Sequence, residues 1–242
     1  MGWSYSFWKG SFYPRDLSSK DFLSYYAKQF DTVEVDNTFY RIPRTQTVTE
    51  WKQQTTQGFL FSLKFPRKIT HIKMLKDCQE ETRVFLENVS LLEEKLGVLL
   101  LQLPPFFRKE HISLLADYLK NLPKDFRYAV ELRDNSLFNE DLFALLRERN
   151  VALVWVDSNK TPLLTKKTAD FVYVRWEGDR KAVTGTLGKT EADRTAQIQD
   201  WVGKLKSLLE QQILVFGYFS KYYSGFPPAD LDELLRRVQE EL

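Results

Sequence analysis

Tyr128–Asp134 reads YAVELRD, and its alternation decides the architecture. Side chains alternate across an extended chain with period 2, so Val130 and Leu132 point one way and Glu131 and Arg133 the other. Three more stretches repeat the pattern. In Thr32–Thr38 (TVEVDNT), Val33 and Val35 oppose Glu34 and Asp36. In Phe59–Phe65 (FLFSLKF), Phe61 and Leu63 oppose Ser62 and Lys64, and in Val172–Gly178 (VYVRWEG), Val174 and Trp176 oppose Arg175 and Glu177. Helical patterns separate these stretches, which argues for parallel strands with helices packed against their apolar side. The polar faces then share the other side. In a closed barrel that side is the interior, and polar positions near the carboxyl ends of the strands lie where barrel enzymes keep their chemistry.

The rest of the chain extends the alternation. Helices are expected at about Ser19–Phe30, with Ser18 or Ser19 as N-cap, and at Thr45–Gln54. A longer one is expected at Glu80–Leu96, closed by Gly97 as its C-cap residue. Val98–Leu103 is a continuous apolar run broken only by Gln102, as in a strand buried on both faces. Helices at Lys109–Asn121 and Asn139–Arg149 precede the Glu131 strand and Val151–Asp157. Helix Glu191–Gln211 leads to the strand Ile213–Phe219, and a last helix covers about Ala229–Leu242. Seven strands result. An eighth has only Met1–Ser6 to draw on, so the first strand is expected to be short or missing, or the natural chain to begin upstream of Met1. The expected fold is an α/β TIM (β/α)₈ barrel in one domain, 1–242. A doubly wound sheet is the rival, but helices would cover both its faces and both should then be apolar.

The bulk numbers fit. The chain has 242 residues, and such barrels run to about 250. A net charge of +2 gives no bulk electrostatic mark of a nucleic-acid binder. The single cysteine, Cys78, excludes an internal disulfide and fits a reducing compartment. The N-terminus MGWSYSFWKG lacks the apolar region of a signal peptide, and no run of about 18 apolar residues occurs. A cytoplasmic protein with no membrane partner is expected.

The chain resembles the YecE-like family (domain of unknown function seventy-two) nearly end to end. The resemblance rests on GWSYSFWKGSFYP at 2–14, VEVDNTFYRIP at 33–43, FSLKFPRKITH at 61–71 and LLQLPPFF at 100–107. AVELRDNSLF at 129–138, YVRWEGD at 173–179 and YFSKYYSGFPP at 218–228 complete it. It implies a TIM barrel and names no reaction. The chain departs from the family pattern in three places. A short strand ending in Gly-Thr-Ser before Gly2-Trp3 is absent. Arg175-Trp176-Glu177-Gly178 stands where Arg-x-His-Gly is frequent, and Ser220-Lys221 where Asn-Asn is frequent. The last two departures are expected to remove polar groups from the mouth.

Glu34, Asp36, Lys64, Gln102, Glu131, Arg133, Asp157 and Arg175 form the expected inward polar set. Barrel cores are normally filled by Val, Ile and Leu, and a buried ion pair seldom exceeds good apolar packing in stability, so this many charges at one end points to a ligand site. Glu34, Glu131 and Asp157 are the candidate acid/base or nucleophilic groups, and Glu34 with Glu131 could act as a glycosidase-like pair. Lys64, Arg133 and Arg175 are candidate anion holders, with Gln102, Asn37, Tyr40 and His71 as further binding residues. Neighbouring acids favour the charged form of Lys64, which suits anion binding over Schiff-base chemistry. With only two histidines, and cations interleaved with the acids, neither a metal nor an organic cofactor is expected. The loops add Arg41, Arg44, Arg67, Lys68, Arg108, Lys109, Arg180, Lys181 and Lys221, interspersed with aromatic residues from Trp3 to Phe226. Cations among exposed rings suit a phosphate-bearing ligand with something to stack. The first reading is a metal-independent enzyme of hydrolase or lyase type acting on a phosphorylated sugar or nucleotide. The second is a nucleic-acid binding or processing protein using the rim, and the third a non-catalytic barrel with a structural ion-pair network.

Overall fold

The computed structural model describes residues 1–241. Seven parallel strands form one sheet in sequence order. They are β1 (Thr32–Val35), β2 (Leu60–Lys64), β3 (Leu96–Gln102), β4 (Arg127–Glu131), β5 (Val151–Ser158), β6 (Phe171–Gly178) and β7 (Leu214–Phe219). The helices are α1 (Phe22–Tyr26), α2 (Thr45–Gln54), α3 (Gln79–Val89), α4 (Ile112–Asn121), α5 (Glu140–Glu148), α6 (Thr195–Glu210) and α7 (Pro227–Glu241). Every strand anticipated from alternation is present.

The period-2 reading sorts the core into layers. Val33, Val35, Phe61, Leu63, Leu99, Leu101 and Val130 pack outward against helix residues such as Phe22, Trp51, Phe85 and Leu115. Val172, Val174 and Trp176 do the same against Ile198, Trp201 and Val202 of α6. A third cluster fills the barrel's lower interior: Val98, Leu100, Ala129, Val154 and the rings of Phe171, Tyr173, Phe216 and Tyr218. Aromatic bulk from β6 and β7 thus does much of the filling that Val, Ile and Leu usually do.

Across the seam between β7 and β1, the Thr32 and Tyr218 hydroxyls lie 2.8 Å apart, and main-chain hydrogen bonds run through residues 1 and 2. The Met1 amine donates to the Phe219 carbonyl at 2.8 Å, and the Gly2 amide donates to the Glu34 carbonyl at 2.8 Å. Residues 1–5 form no strand, and where an eighth strand would lie the described residues supply these two main-chain hydrogen bonds.

Two helical expectations need correction. The expected Ser19–Phe30 helix is a 3₁₀ turn, Ser19–Asp21, followed by the short α1; the Ser18 hydroxyl caps its start, accepting from the Lys20 amide at 3.4 Å. The expected Glu80–Leu96 helix ends as α3 at Val89 and tightens into a 3₁₀ turn over Ser90–Lys95. Gly97 is therefore no cap. It lies in β3, where a Cβ would come 3.2 Å from both the Phe216 ring and the Phe61 carbonyl oxygen. Glycine there lets two strands and a ring approach closely.

Candidate functional site

Alternation brings Glu34, Glu131 and Arg175 to one level inside the barrel. Arg175, 1% exposed, donates through Nε and Nη2 to the two oxygens of Glu34, each at 2.9 Å. Its Nη1 reaches both Glu131 and Glu177, the latter at 2.5 Å. The Tyr173 hydroxyl adds a bond to Glu34 at 2.7 Å. Glu131 also accepts from the Gln102 amide at 2.8 and 2.9 Å and from Arg133 Nε at 3.0 Å. Burying carboxylates is costly unless each is paired and hydrogen-bonded, and here both are fully engaged. Burial alone would raise the Glu131 carboxyl, but the charges of Arg175, Arg133 and Lys64 outweigh it and hold it well below the ordinary range. Burial would likewise depress Arg175, yet Glu177, Glu34 and Glu131 hold it well above its usual value.

A folded-state pKa below the unfolded one contributes stability above the unfolded pKa and loses it as pH falls toward the folded value. For Glu131 the unfolded reference is about 4.3. Stability is therefore expected to fall on acidification from pH 6 to pH 3 by about 1.5–2 kcal/mol from this group alone. Denaturant unfolding at both pH values, for the native protein and Glu131→Gln, checks this. The pH difference should shrink by that amount in the variant.

Above this layer lies a cleft of about 320 Å³. Lys64, Arg133, Arg175, Arg180 and Lys221 line it, with Asp36 as the one carboxylate among the lining residues. Lys64 Nζ lies 2.7 Å from Asp36. Asp36 is pulled upward by burial, but Lys64 and Arg175 keep its carboxyl below the ordinary range. His71 sits in the turn after β2, its Nδ1 2.9 Å from the Thr70 hydroxyl. Burial, followed by the charges of Arg133, Arg67 and Lys64, lowers it to about 4, so the ring is neutral at pH 7. Tyr5, Phe39, Tyr40 and Tyr222 supply aromatic walls, and Tyr40 is 80% exposed.

Of the residues singled out from the sequence, the structure brings Lys64, Gln102, Arg133, Arg175, Tyr40 and His71 together at this cleft. Glu34 and Glu131 lie one layer beneath. Two placements are corrected. Asp157 faces outward and accepts from the Trp201 indole of α6 at 2.7 Å. In β5 the inward positions are Ala152 and Val154, which puts Asp157 on the helix side. Asn37 is exposed on the 3₁₀ turn after β1 and does not line the cleft. The departures at 177 and 220–221 do not strip the mouth of polar groups either: Glu177 pairs with Arg175, and Ser220 and Lys221 line the cleft. Three of the rim aromatics, Trp8, Phe107 and Tyr223, are buried and do not line the cleft. Tyr173 and Glu177 were absent from the expected set, although alternation along Phe171–Tyr173–Arg175–Glu177 places both on the face of Arg175.

A nearly closed parallel α/β barrel with a polar cleft at the carboxyl ends of its strands is a TIM-like barrel. Residues 1–242 match the family described as "Protein of unknown function DUF72", and the chain belongs to that family. It is 36% identical over 141 residues to the UPF0759 protein YecE of Escherichia coli, a match covering 56% of this chain and 52% of YecE, about half that relative's length. It is 28% identical to the UPF0759 protein YunF of Bacillus subtilis over 89% of this chain and 86% of YunF. The crystal structure of a DUF72 family protein from Thermotoga maritima superposes with a TM-score of 0.77 at 26% identity, over 100% of this chain and 97% of that one. Another from Enterococcus faecalis, 24% identical over 90% of this chain and 92% of that one, shares the fold with a TM-score of 0.68. No helix among the described residues is long and apolar enough to cross a membrane.

Proposed function

We propose that the carboxyl-end cleft binds a small phosphate-bearing molecule, a sugar phosphate or a nucleotide. One observation carries this reading: Lys64, Arg133, Arg180 and Lys221 line the cleft above Arg175, which the buried acids already hold, with Asp36 as the one lining carboxylate, between aromatic walls. Fixed cations in a partly dry cleft, with rings to stack on, suit a phosphate ester. The reading favours binding over proton transfer. Glu34 and Glu131 have their oxygens occupied, and His71 and Asp36 are held away from the neutral pKa that a general base needs. A hydrolase or lyase step would have to use Asp36 or His71 at the cleft surface.

Lys64→Met tests this. The variant should fold, because Asp36 keeps a 38% exposed side chain and the neighbouring charge of Arg175, although the oxygen that faced Lys64 is buried. Its affinity for inorganic phosphate, titrated by calorimetry at low ionic strength, should fall at least about tenfold, on the order of 1.4 kcal/mol. Equal affinity in a folded variant would make Lys64 a structural partner of Asp36. A single-stranded oligonucleotide bound by both proteins where phosphate is not would move the function to the exposed rim.

A further inference from the structure

We infer that the cleft takes a ligand with two phosphate groups, one held at Lys64 and Arg133 and the other at Lys221 and Arg180. This rests on the phosphate reading above and adds a second anchoring point to it.

The two walls differ in how their charges are compensated. On the inner wall Lys64 has Asp36 at 2.7 Å and Arg133 has Glu131 at 3.0 Å. On the outer wall Lys221 has no carboxylate within 4.0 Å among the described residues. It is half-buried, with the rings of Tyr222, Phe7 and Tyr5 at 5.1, 5.6 and 5.8 Å from its ammonium. Arg180 lies over the same Tyr222 ring at 4.8 Å and reaches Glu177 only at 3.7 Å. Aromatic faces attract a cation but do not neutralise it. A half-buried ammonium with no counter-ion is a standing demand for an anion.

Lys221 is also fixed in position. Gly178 and Gly185, both at positive φ (+68° and +64°), let the loop after β6 press against residues 221–222. A Cβ at Gly178 would lie 2.1 Å from the Tyr222 carbonyl oxygen, and one at Gly185 would lie 2.5 Å from that of Lys221. Its backbone therefore does not swing away as that of a loose surface lysine would. Lys64, Arg133, Arg180 and Lys221 line the same cleft. One phosphate at the inner wall leaves Lys221 uncompensated, whereas a diphosphate or bisphosphate satisfies both walls.

The test is calorimetric titration of the native protein, Lys221→Met, Lys221→Arg and Lys64→Met with inorganic phosphate, pyrophosphate and fructose bisphosphate. Thermal melting confirms that each variant is folded. The expected result is that Lys221→Met loses at least about tenfold in affinity for pyrophosphate or fructose bisphosphate and less than about twofold for phosphate. Lys221→Arg should retain the native values, and Lys64→Met should weaken every probe. Equal losses for one-phosphate and two-phosphate probes, or no loss for either, would overturn the second anchor while leaving the phosphate site standing. A native protein that binds none of the three would overturn both.

Discussion

Arg175→Met is expected to lower the melting temperature by about 6–20 °C. The guanidinium holds Glu34 and Glu131, whose side chains are 0% and 2% exposed, together with Glu177 at 12%. Removing one partner of a buried ion pair typically costs about 3–5 kcal/mol, because the remaining charge is stranded. In a chain of this size each kcal/mol shifts the midpoint by about 2–4 °C. Methionine fills comparable space, so the loss is electrostatic and not chiefly a cavity. The triple change Arg175→Met, Glu34→Gln and Glu131→Gln removes the two most deeply buried charges with their cation, leaving the 12% exposed Glu177, and should recover at least half of the loss. Circular dichroism melts at pH 7 decide it. A single variant melting within about 2 °C of the native protein would mean that the carboxylates do not depend on Arg175 for their charge, and the ion-pair account of this layer would fail.

The second large effect is expected at Gly178. Its φ of +68° lies in the left-handed region, and an added Cβ would fall 2.1 Å from the Tyr222 carbonyl oxygen and 2.4 Å from the Tyr223 Cα. Neither neighbour is a flexible side-chain tip, so backbone must move. The left-handed conformation costs about 1–2 kcal/mol in a residue with a Cβ, and overpacking typically adds about 1–3 kcal/mol. Gly178→Ala should therefore lose about 2–5 kcal/mol in denaturant unfolding. Gly58→Ala is the internal control. Gly58 has a φ of +83° with no atom within 4 Å of the added Cβ, so only the conformational cost of about 1–2 kcal/mol applies. Equal losses at the two sites would show that the loop carrying Lys221 and Tyr222 yields easily.

Local periodicity carried most of this fold. Seven strands and α2 follow from alternation and helical spacing because those signals live within a few residues. The errors arise where a distant neighbour decides. Gly97 follows a charged helical stretch and imitates a C-cap, while its real constraint is the Phe216 ring more than a hundred residues away. Asp157 stands next to last in β5, at the point where the register shifts between Asp157 and Ser158. An acid there reads as inward, yet its partner is the indole of Trp201. The inward direction of Glu34 and Glu131 was legible. Their saturation was not, because it depends on one guanidinium and one phenol from β6 and one amide from β3 arriving at hydrogen-bond distance.

The stacking of charge by depth has a consequence for whatever enters. On the phosphate reading, an anion meets Lys221 and Arg180, then Lys64 and Arg133, and below them Arg175 already bound to Glu34 and Glu131, whose side chains are 0% and 2% exposed. That layer is a filled, charge-paired floor. A ligand rests on it without entering, and its far end stays at the aromatic mouth, where exchange leaves the barrel beneath undisturbed.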